Sequence, residues 1–392
     1  MCSPRSTTAG AKESKTNLTE ILPESNPNDK MKNRKSLKHA CMALLCALST
    51  IFASCDDSFI FDGEGDCSVE YRVKFVYDMN LKWADAFPSE VKSVNLYAFD
   101  ADGVFYKEFA ASGEALSQPD FYITLDVPAG EYQLVAWCGL VNPDAKEESF
   151  TVTTPVAGVT KLDDFVCSLN TIMTRSGETN EISDRRLYFL YHGNIEVNLP
   201  DTRDGKVYYY TVPLIKDTNH IRIILQELAS DEDMVPSDYD ITIEAANSLM
   251  AYNNSLLPGP VVTYKPWAQV QDEVGVGRLD VNNGEIKYVK GIVADLSVAR
   301  MMASQADSFD LVIKNANTDE LIARVPVIKY ALLSKKYYEM AYNHTMTNQN
   351  LLDREDEYVM TFFLEKGKWM DEYINILQWR IVPDDYGIGD RD

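Results

Sequence analysis

The sequence predicts an all-β protein built from two successive β-sandwiches. Three observations carry that reading. Apolar and β-branched residues alternate with polar ones from Val69 onward, turn signals separate the runs, and a helical period shows only over Ile328 to Tyr342. The 392 residues suffice for about two domains. Two sets of short strands with turns between them fit packed antiparallel sheets better than a parallel sheet with crossover helices.

The first strand is expected at Val69, Tyr71, Val73, Phe75 and Tyr77, with Glu70, Arg72 and Lys74 on the other face. Val94–Phe99 and Val104–Phe109 flank Asp100-Ala101-Asp102-Gly103 and read as a hairpin. Phe121, Ile123, Leu125 and Val127 form the next run. After it, Pro128-Ala129-Gly130 supplies a turn, since Pro presets φ and Gly accepts positive φ, and Glu131–Trp137 returns as a strand. Beyond a Thr-rich, irregular region, Leu187–Leu199 and Val207–Val212 complete the first set. His220, Ile221, Ile223 and Leu225 open the second, which continues through Tyr239–Ile243, Val261–Tyr264, Ile286–Val298, Phe309–Ile313, Leu321–Val327, Tyr358–Leu364 and Tyr373–Val382. The polar stretch Lys216–Asn219 marks the expected boundary, giving domains 67–215 and 216–392.

Ahead of the body, residues 1–54 read as a leader. Met31 starts a positive segment with Lys32, Arg34, Lys35 and Lys38, and Ala40–Ala53 is an apolar stretch too short to span a bilayer. It ends Ile51-Phe52-Ala53-Ser54-Cys55, similar to a lipobox, in which the cysteine becomes the acylated first residue of the mature chain. Phe52 stands where leucine is usual. Residues 55–66, with Asp56, Asp57, Asp62, Glu64 and Asp66, form an acidic tether that resembles the export tag of surface lipoproteins in Bacteroidales. Of the remaining cysteines, Cys67, Cys138 and Cys167 allow one disulfide and a free thiol, or three thiols.

The charge excludes one class of partner. Lys and Arg number 37 against 60 Asp and Glu, a net of -23; the leader holds 8 basic and 4 acidic residues, which leaves 29 against 56 on the mature chain, a net of -27. Such a surface repels nucleic-acid phosphates and anionic headgroups. The motifs of nucleophilic, zinc and nucleotide chemistry are missing from the sequence. His192, His220 and His344 stand apart from one another and from any cysteine pair, so neither a metal site nor a cofactor is expected. His192, within Leu190-Tyr191-His192-Gly193, reads as packing against a turn. Asp100 and Asp102 fail as a calcium loop because Ala98 and Phe109 occupy the first and last ligand positions. Tyr208-Tyr209-Tyr210 and Tyr337-Tyr338 are expected to divide between core and surface, as neighbours on a strand do.

Several segments together resemble the FimB-like family of fimbrial anchor and minor subunits of Bacteroidales. They are Cys67–Asn80, Ala84-Asp85-Ala86-Phe87, Leu96–Asp100, Pro128–Tyr132 through Ala136-Trp137, Tyr191-His192-Gly193, Tyr252-Asn253-Asn254, Ala299–Met302, Leu352–Tyr358 and Phe362-Phe363-Leu364. The family's terminal Asn-Gly-Trp is replaced by Leu377-Gln378-Trp379. The resemblance implies two tandem transthyretin-like β-sandwich domains and a non-catalytic lipoprotein of the outer membrane, anchored through Cys55, that attaches fimbriae and limits their length. The implied partner is a fimbrial shaft subunit, joined by strand exchange for which Ile374–Val382 is a candidate donor. Shaft relatives lose their N-terminus by cleavage after an arginine; here Arg72, inside the first strand, is the first basic residue after Cys55. The alternative is a surface glycan- or host-binding lipoprotein, either a fimbrial tip adhesin or a nutrient-uptake accessory.

Overall fold

The computed structural model describes residues 68–142, 147–173, 181–202, 204–227, 234–274, 289–365, 367–376 and 379–381. Its strands, in chain order, are β1 (Glu70–Val76), β2 (Ser93–Asp100), β3 (Phe105–Ser112), β4 (Ile123–Leu125), β5 (Gly130–Cys138), β6 (Phe150–Val152), β7 (Val166–Leu169), β8 (Ile172–Met173), β9 (Glu181–Ser183), β10 (Tyr191–Leu199), β11 (Val207–Pro213) and β12 (Ile215–Lys216). There follow β13 (Thr218–Glu227), β14 (Tyr239–Ala245), β15 (Leu249–Ala251), β16 (Val262–Tyr264), β17 (Ala268–Val274), β18 (Val289–Ala299), β19 (Asp310–Asn315), β20 (Leu321–Pro326), β21 (Glu357–Glu365), β22 (Lys368–Ile376) and β23 (Trp379–Ile381). The helices are α1 (Phe87–Glu90), α2 (Val327–Leu333), α3 (Lys335–Tyr342) and α4 (Asn348–Arg354).

The all-β expectation holds, and the strands build packed sheets. In the first half, β11-β1-β4 lies against the larger sheet β12-β10-β5-β2-β3. Alternation explains β1, whose Tyr71, Val73 and Phe75 are buried while Glu70, Arg72 and Lys74 are half-exposed. It does not explain β2 and β5, which are buried almost throughout because their sheet is covered on both faces. Tyr97, Phe99, Val135 and Trp137 point into a core shared with Ile221, Ile223, Leu296 and Phe362 of the second half. Val94, Leu96, Leu134 and Ala136, also buried, point the other way. The turn at 100–103 forms as its sequence asks: Gly103 takes φ 70° and donates to the Asp100 carbonyl at 2.9 Å, while Asp100 Oδ1 accepts from the Asp102 and Val104 amides.

In the second half, β17-β18-β13-β21-β22-β23 packs with β20-β19-β14-β16-β9-β8, and a small sheet β15-β7-β6 completes the body. Two of these sheets draw strands from the first half of the sequence. The β9 strand pairs in parallel with β16, and β7 pairs with β15. The chain crosses between halves at β12 and β13, and Glu70–Asp201 with Val207–Asp392 make up one compact unit.

Several elements depart from the sequence expectation, among them the following. The Thr-rich region yields β6 through β9, strands of two to four residues, too short to show a period. The run Tyr373–Val382 is divided, its residues through Ile376 closing β22 and Trp379–Ile381 folding back to pair with it; Val382 lies outside the described residues. The expected helix is two, α2 and α3, meeting at Ser334, where α2 buries Val327, Ile328, Tyr330 and Ala331. A further helix, α4, starts at a capping box in which Thr347 Oγ1 accepts from the Asn350 amide and the Asn350 side chain accepts from the Thr347 amide.

Gly193 in β10 marks the close approach of the two first-half sheets. A Cβ there would lie 2.4 Å from the Pro213 carbonyl oxygen and 2.5 Å from Val212 Cγ1. Gly193→Ala is expected to destabilise the protein by about 1–3 kcal/mol through overpacking, read as a lower urea midpoint at unchanged slope.

Candidate functional site

The feature with most bearing on function is the seat of the first strand, where the chain arriving from the N-terminus enters the body. β1 is a middle strand. It pairs in parallel with β11 over the whole of its length, Glu70 opposite Val207 to Val76 opposite Pro213, and antiparallel with β4 through Tyr71, Arg72 and Val73. Burying Tyr71, Val73, Phe75 and the following Tyr77 is worth roughly 6–12 kcal/mol before the entropy of ordering the segment is subtracted. Phe75 stacks on Phe87 and Phe121 at 5.7 and 6.3 Å, and Tyr77 meets Tyr191 edge-on at 5.0 Å.

The half-exposed face of β1 is locked as well. Arg72 forks onto both Glu70 oxygens at 2.7 and 2.8 Å, donates to the Tyr209 hydroxyl at 3.1 Å and lies 4.1 Å from the centre of the Tyr122 ring. These bonds hold the Glu70 carboxyl below the usual carboxylate range. The strand's exit is fixed by Asp85, whose Oδ1 accepts from the amides of Tyr77 and Phe87, and by Arg354 of α4. The Arg354 guanidinium donates to the carbonyls of Asp78 and Asn80 and stacks on Trp83 at 3.5 Å.

Beside this exit lies a cleft of about 580 Å³ lined by Tyr77, Asp85, Glu90, Lys216 and Asp356 among others. The Lys216 side chain is only 5 % exposed; its ammonium sits 2.7 Å from Glu90 Oε2 and 2.5 Å from Asp356 Oδ2, and the Phe189 ring centre is 4.2 Å away. Glu90 belongs to α1 and Asp356 precedes β21, so one cation joins the two halves. Next along the chain, fully buried Asp217 accepts from Arg300 Nη1 at 2.7 Å and from Asn254 at 2.9 Å, while Arg300 Nη2 donates to Asp353 at 3.0 Å. Burial raises both carboxyls, and the shared guanidinium opposes that rise. Lys216–Asn219, read from sequence as a polar boundary, is therefore a buried hub in which every polar side chain named here has a charged or amide partner. The partners of Lys216 and Asp217 stand 37 to 140 residues away in the sequence, which gives them no local signal.

The cleft does not assemble a reactive site, since both carboxylates at Lys216 are committed to the same ammonium. Among the described residues no group of three or more His, Cys, Asp or Glu is placed to hold a metal ion. His192 is buried on Trp137 at 4.5 Å with Nε2 2.7 Å from the Tyr252 carbonyl, and burial pushes its pKa down to about 3. It stays neutral and structural. His220 contacts Asp295, and His344 packs on Trp83, so the three are dispersed. Cys138 and Cys167 are buried free thiols, raised by burial. Cys55 and Cys67 lie outside the described residues. Among the tyrosines, Tyr209 is 54 % exposed, Tyr208 and Tyr210 are half-buried, and Tyr338 is buried with its hydroxyl on Glu355.

Comparison with known proteins follows the same lines. The model of the family described as fimbrillin-A associated anchor proteins Mfa1 and Mfa2 matches residues 64–385. A putative adhesin from Bacteroides thetaiotaomicron is similar in structure at a TM-score of 0.66 with 28 % identity, over 80 % of this chain and 97 % of that one. A protein from the same organism described as a putative polysaccharide binding protein gives 0.64 and 27 %, over 80 % and 98 %. The fimbrial anchor protein Mfa2 from Porphyromonas gingivalis shares the fold at 0.55 with 16 % identity, over 80 % and 99 %. No curated protein matches by sequence.

Two outcomes follow from the hub. Arg300→Met leaves Asp217 and Asp353 buried without a cation and is expected to cost about 3–5 kcal/mol in urea unfolding. Glu355 is buried with one oxygen on Tyr338, and burial raises its pKa to about 8 from 4.5. A raised pKa means the native state holds this proton more tightly, so its stabilising contribution is complete below about pH 4.5 and is lost as pH rises through about 8. The melting temperature should therefore fall more between pH 5 and 9 in the wild type than in Glu355→Gln.

Proposed function

The chain belongs to the family of fimbrillin-A associated anchor proteins, and from that premise we infer that it is the basal subunit of a fimbria, held in the outer membrane by acyl chains on Cys55. As a member of that family it is a fimbria-associated surface protein of a non-enzymatic class. The observation that carries the finer reading is the filled seat of β1. Release of a leader after Arg72 would require a protease to draw an extended segment into its site. The peptide bonds around Arg72 are instead paired on both sides by β4 and β11, and its side chain is engaged by Glu70, Tyr209 and Tyr122. A retained β1 keeps everything N-terminal to it attached to the body.

Cys55 stands some 15 residues before Glu70. At full extension that tether reaches about 50 Å, so an acylated Cys55 keeps the body close to the membrane. Two or more acyl chains hold such a protein firmly, since each buried CH₂ contributes about 0.8 kcal/mol. A subunit whose first strand stays in place offers growth in one direction only, which supports a role in ending the fimbria at its base and so limiting its length. The joint to the shaft subunit is a shared strand, which satisfies backbone hydrogen bonds without catalysis. Of Ile374–Val382, considered above as a donor, the described residues 374–376 and 379–381 are paired within the body's own sheet, through β22 with β21 and through β23 with β22, so the shaft subunit is the better candidate to supply the strand.

Replacing Cys55 by Ala tests the reading. Mass spectrometry of the wild-type protein should show acyl chains on Cys55, and cells carrying Cys55→Ala should release fimbriae into the medium. Fimbriae that stay on the cells at the wild-type level would overturn the basal assignment.

A further inference from the structure

Sheet edges differ in how they are guarded. An edge strand presents unpaired backbone groups, and charged side chains, proline or brevity normally keep other chains from pairing there. On β3 the guards are Lys107 and Glu108, on β17 Asp272 and Glu273, and on β20 Arg324 and the closing Pro326. The outer strands β4, β6, β8, β12, β15 and β23 are two or three residues long. β11 is different. It is an outer strand of seven residues, Val-Tyr-Tyr-Tyr-Thr-Val-Pro, guarded by the closing Pro213 alone; the six residues before it carry no charged side chain, and its described pairing is with β1 on one side. Val207 and Tyr209 are 39 % and 54 % exposed, and Thr211 is exposed as well.

The face next to that edge also differs from the rest of a chain with net charge -23. The Lys74 ammonium lies 5.1 Å from the centre of the Tyr209 ring, and Arg72 reaches across β11 to the Tyr209 hydroxyl. Glu70 balances Arg72, so the surplus charge at Tyr209 is that of Lys74. We propose that the outer edge of β11 receives an extended segment of the adjoining fimbrial subunit, which adds a fourth strand to the sheet β11-β1-β4 of the described residues. The segment carries a carboxylate on the face that meets Tyr209 and Lys74. This rests on the basal-subunit reading and makes it specific: the partner adds beside β11 and β1 remains in place.

The test uses the full-length protein in a deletion strain. Val207→Glu with Thr211→Glu places two edge carboxylates at exposed positions, where they repel the carboxylate of the incoming segment, and leaves the buried row of β1 untouched. Complementation with this variant, at unchanged membrane level and melting temperature, should raise shed fimbriae at least tenfold over the wild type. A variant that retains fimbriae like the wild type, in a strain where deletion sheds them, overturns the β11 assignment and leaves the basal reading standing. Fimbriae retained after complete deletion overturn both. Hydrogen exchange on the unmutated protein gives a second measure: amides within 207–212 should exchange at least tenfold more slowly in fimbria-bound than in isolated protein, and unchanged rates count against the proposal.

Discussion

The structure depends on the pairing of one N-terminal strand between two neighbours that come from later in the chain. β1 is seated fully only when β4 and β11 are both present, so this part of the fold waits on β11, whose contacts with β1 span more than a hundred residues of chain. The close seating of Gly193 against Val212 and Pro213 then admits the sheet to within backbone contact of its partner. A side chain at that position would hold the two layers apart and loosen the strand that both of them clamp.

A second constraint is polar. At the crossover between halves the chain buries Lys216, Asp217, Thr218 and Asn219 in succession. Burying such groups is unfavourable unless they find partners; Lys216 has Glu90 of α1 and Asp356, and Asp217 has Arg300 at the end of β18 and Asn254. Such a network need not add stability over an apolar core, but it tolerates few alternative arrangements. The sharing of Lys216 between Glu90 and Asp356 joins the two halves, and that of Arg300 between Asp217 and Asp353 ties the crossover to α4. The sequence halves are further interleaved because β7 and β9 pair with strands of the second half.

Much of the fold was legible in the sequence wherever one physical signal dominated. Half-buried strands such as β1 and β13 announced themselves by alternation, and the Asp100–Gly103 turn by its φ requirement. What escaped lacks a local signal. The strands β6 to β9 are too short for periodicity, and β17 displays exposed Gln, Asp and Glu because it is an outer strand whose Gln269 and Gln271 instead bond to carbonyls of the 234–239 loop. Helix α4 rests on a cap rather than on an apolar period. Of the candidate site, the alternating residues of β1 were readable. The hub was not, since Lys216 and Arg300 find their meaning in residues far along the chain. Cys55, the sequence's sharpest functional signal, lies outside the described residues, and its acylation is a proposal drawn from the motif alone.

The parallel registry of β1 with β11 has a mechanical corollary. A force applied at Glu70 and directed away from the body runs along the strand axis, across the hydrogen bonds to both neighbours. Such shear loads the ladder all at once, whereas peeling a strand from its end breaks one bond at a time. Each bond contributes only about 0.5–1.5 kcal/mol, yet in this geometry the strand cannot slip until most of them fail together and Tyr71, Val73 and Phe75 leave their places in concert. A protein dragged by its N-terminus in flowing fluid would thus be strongest along the direction in which it is pulled.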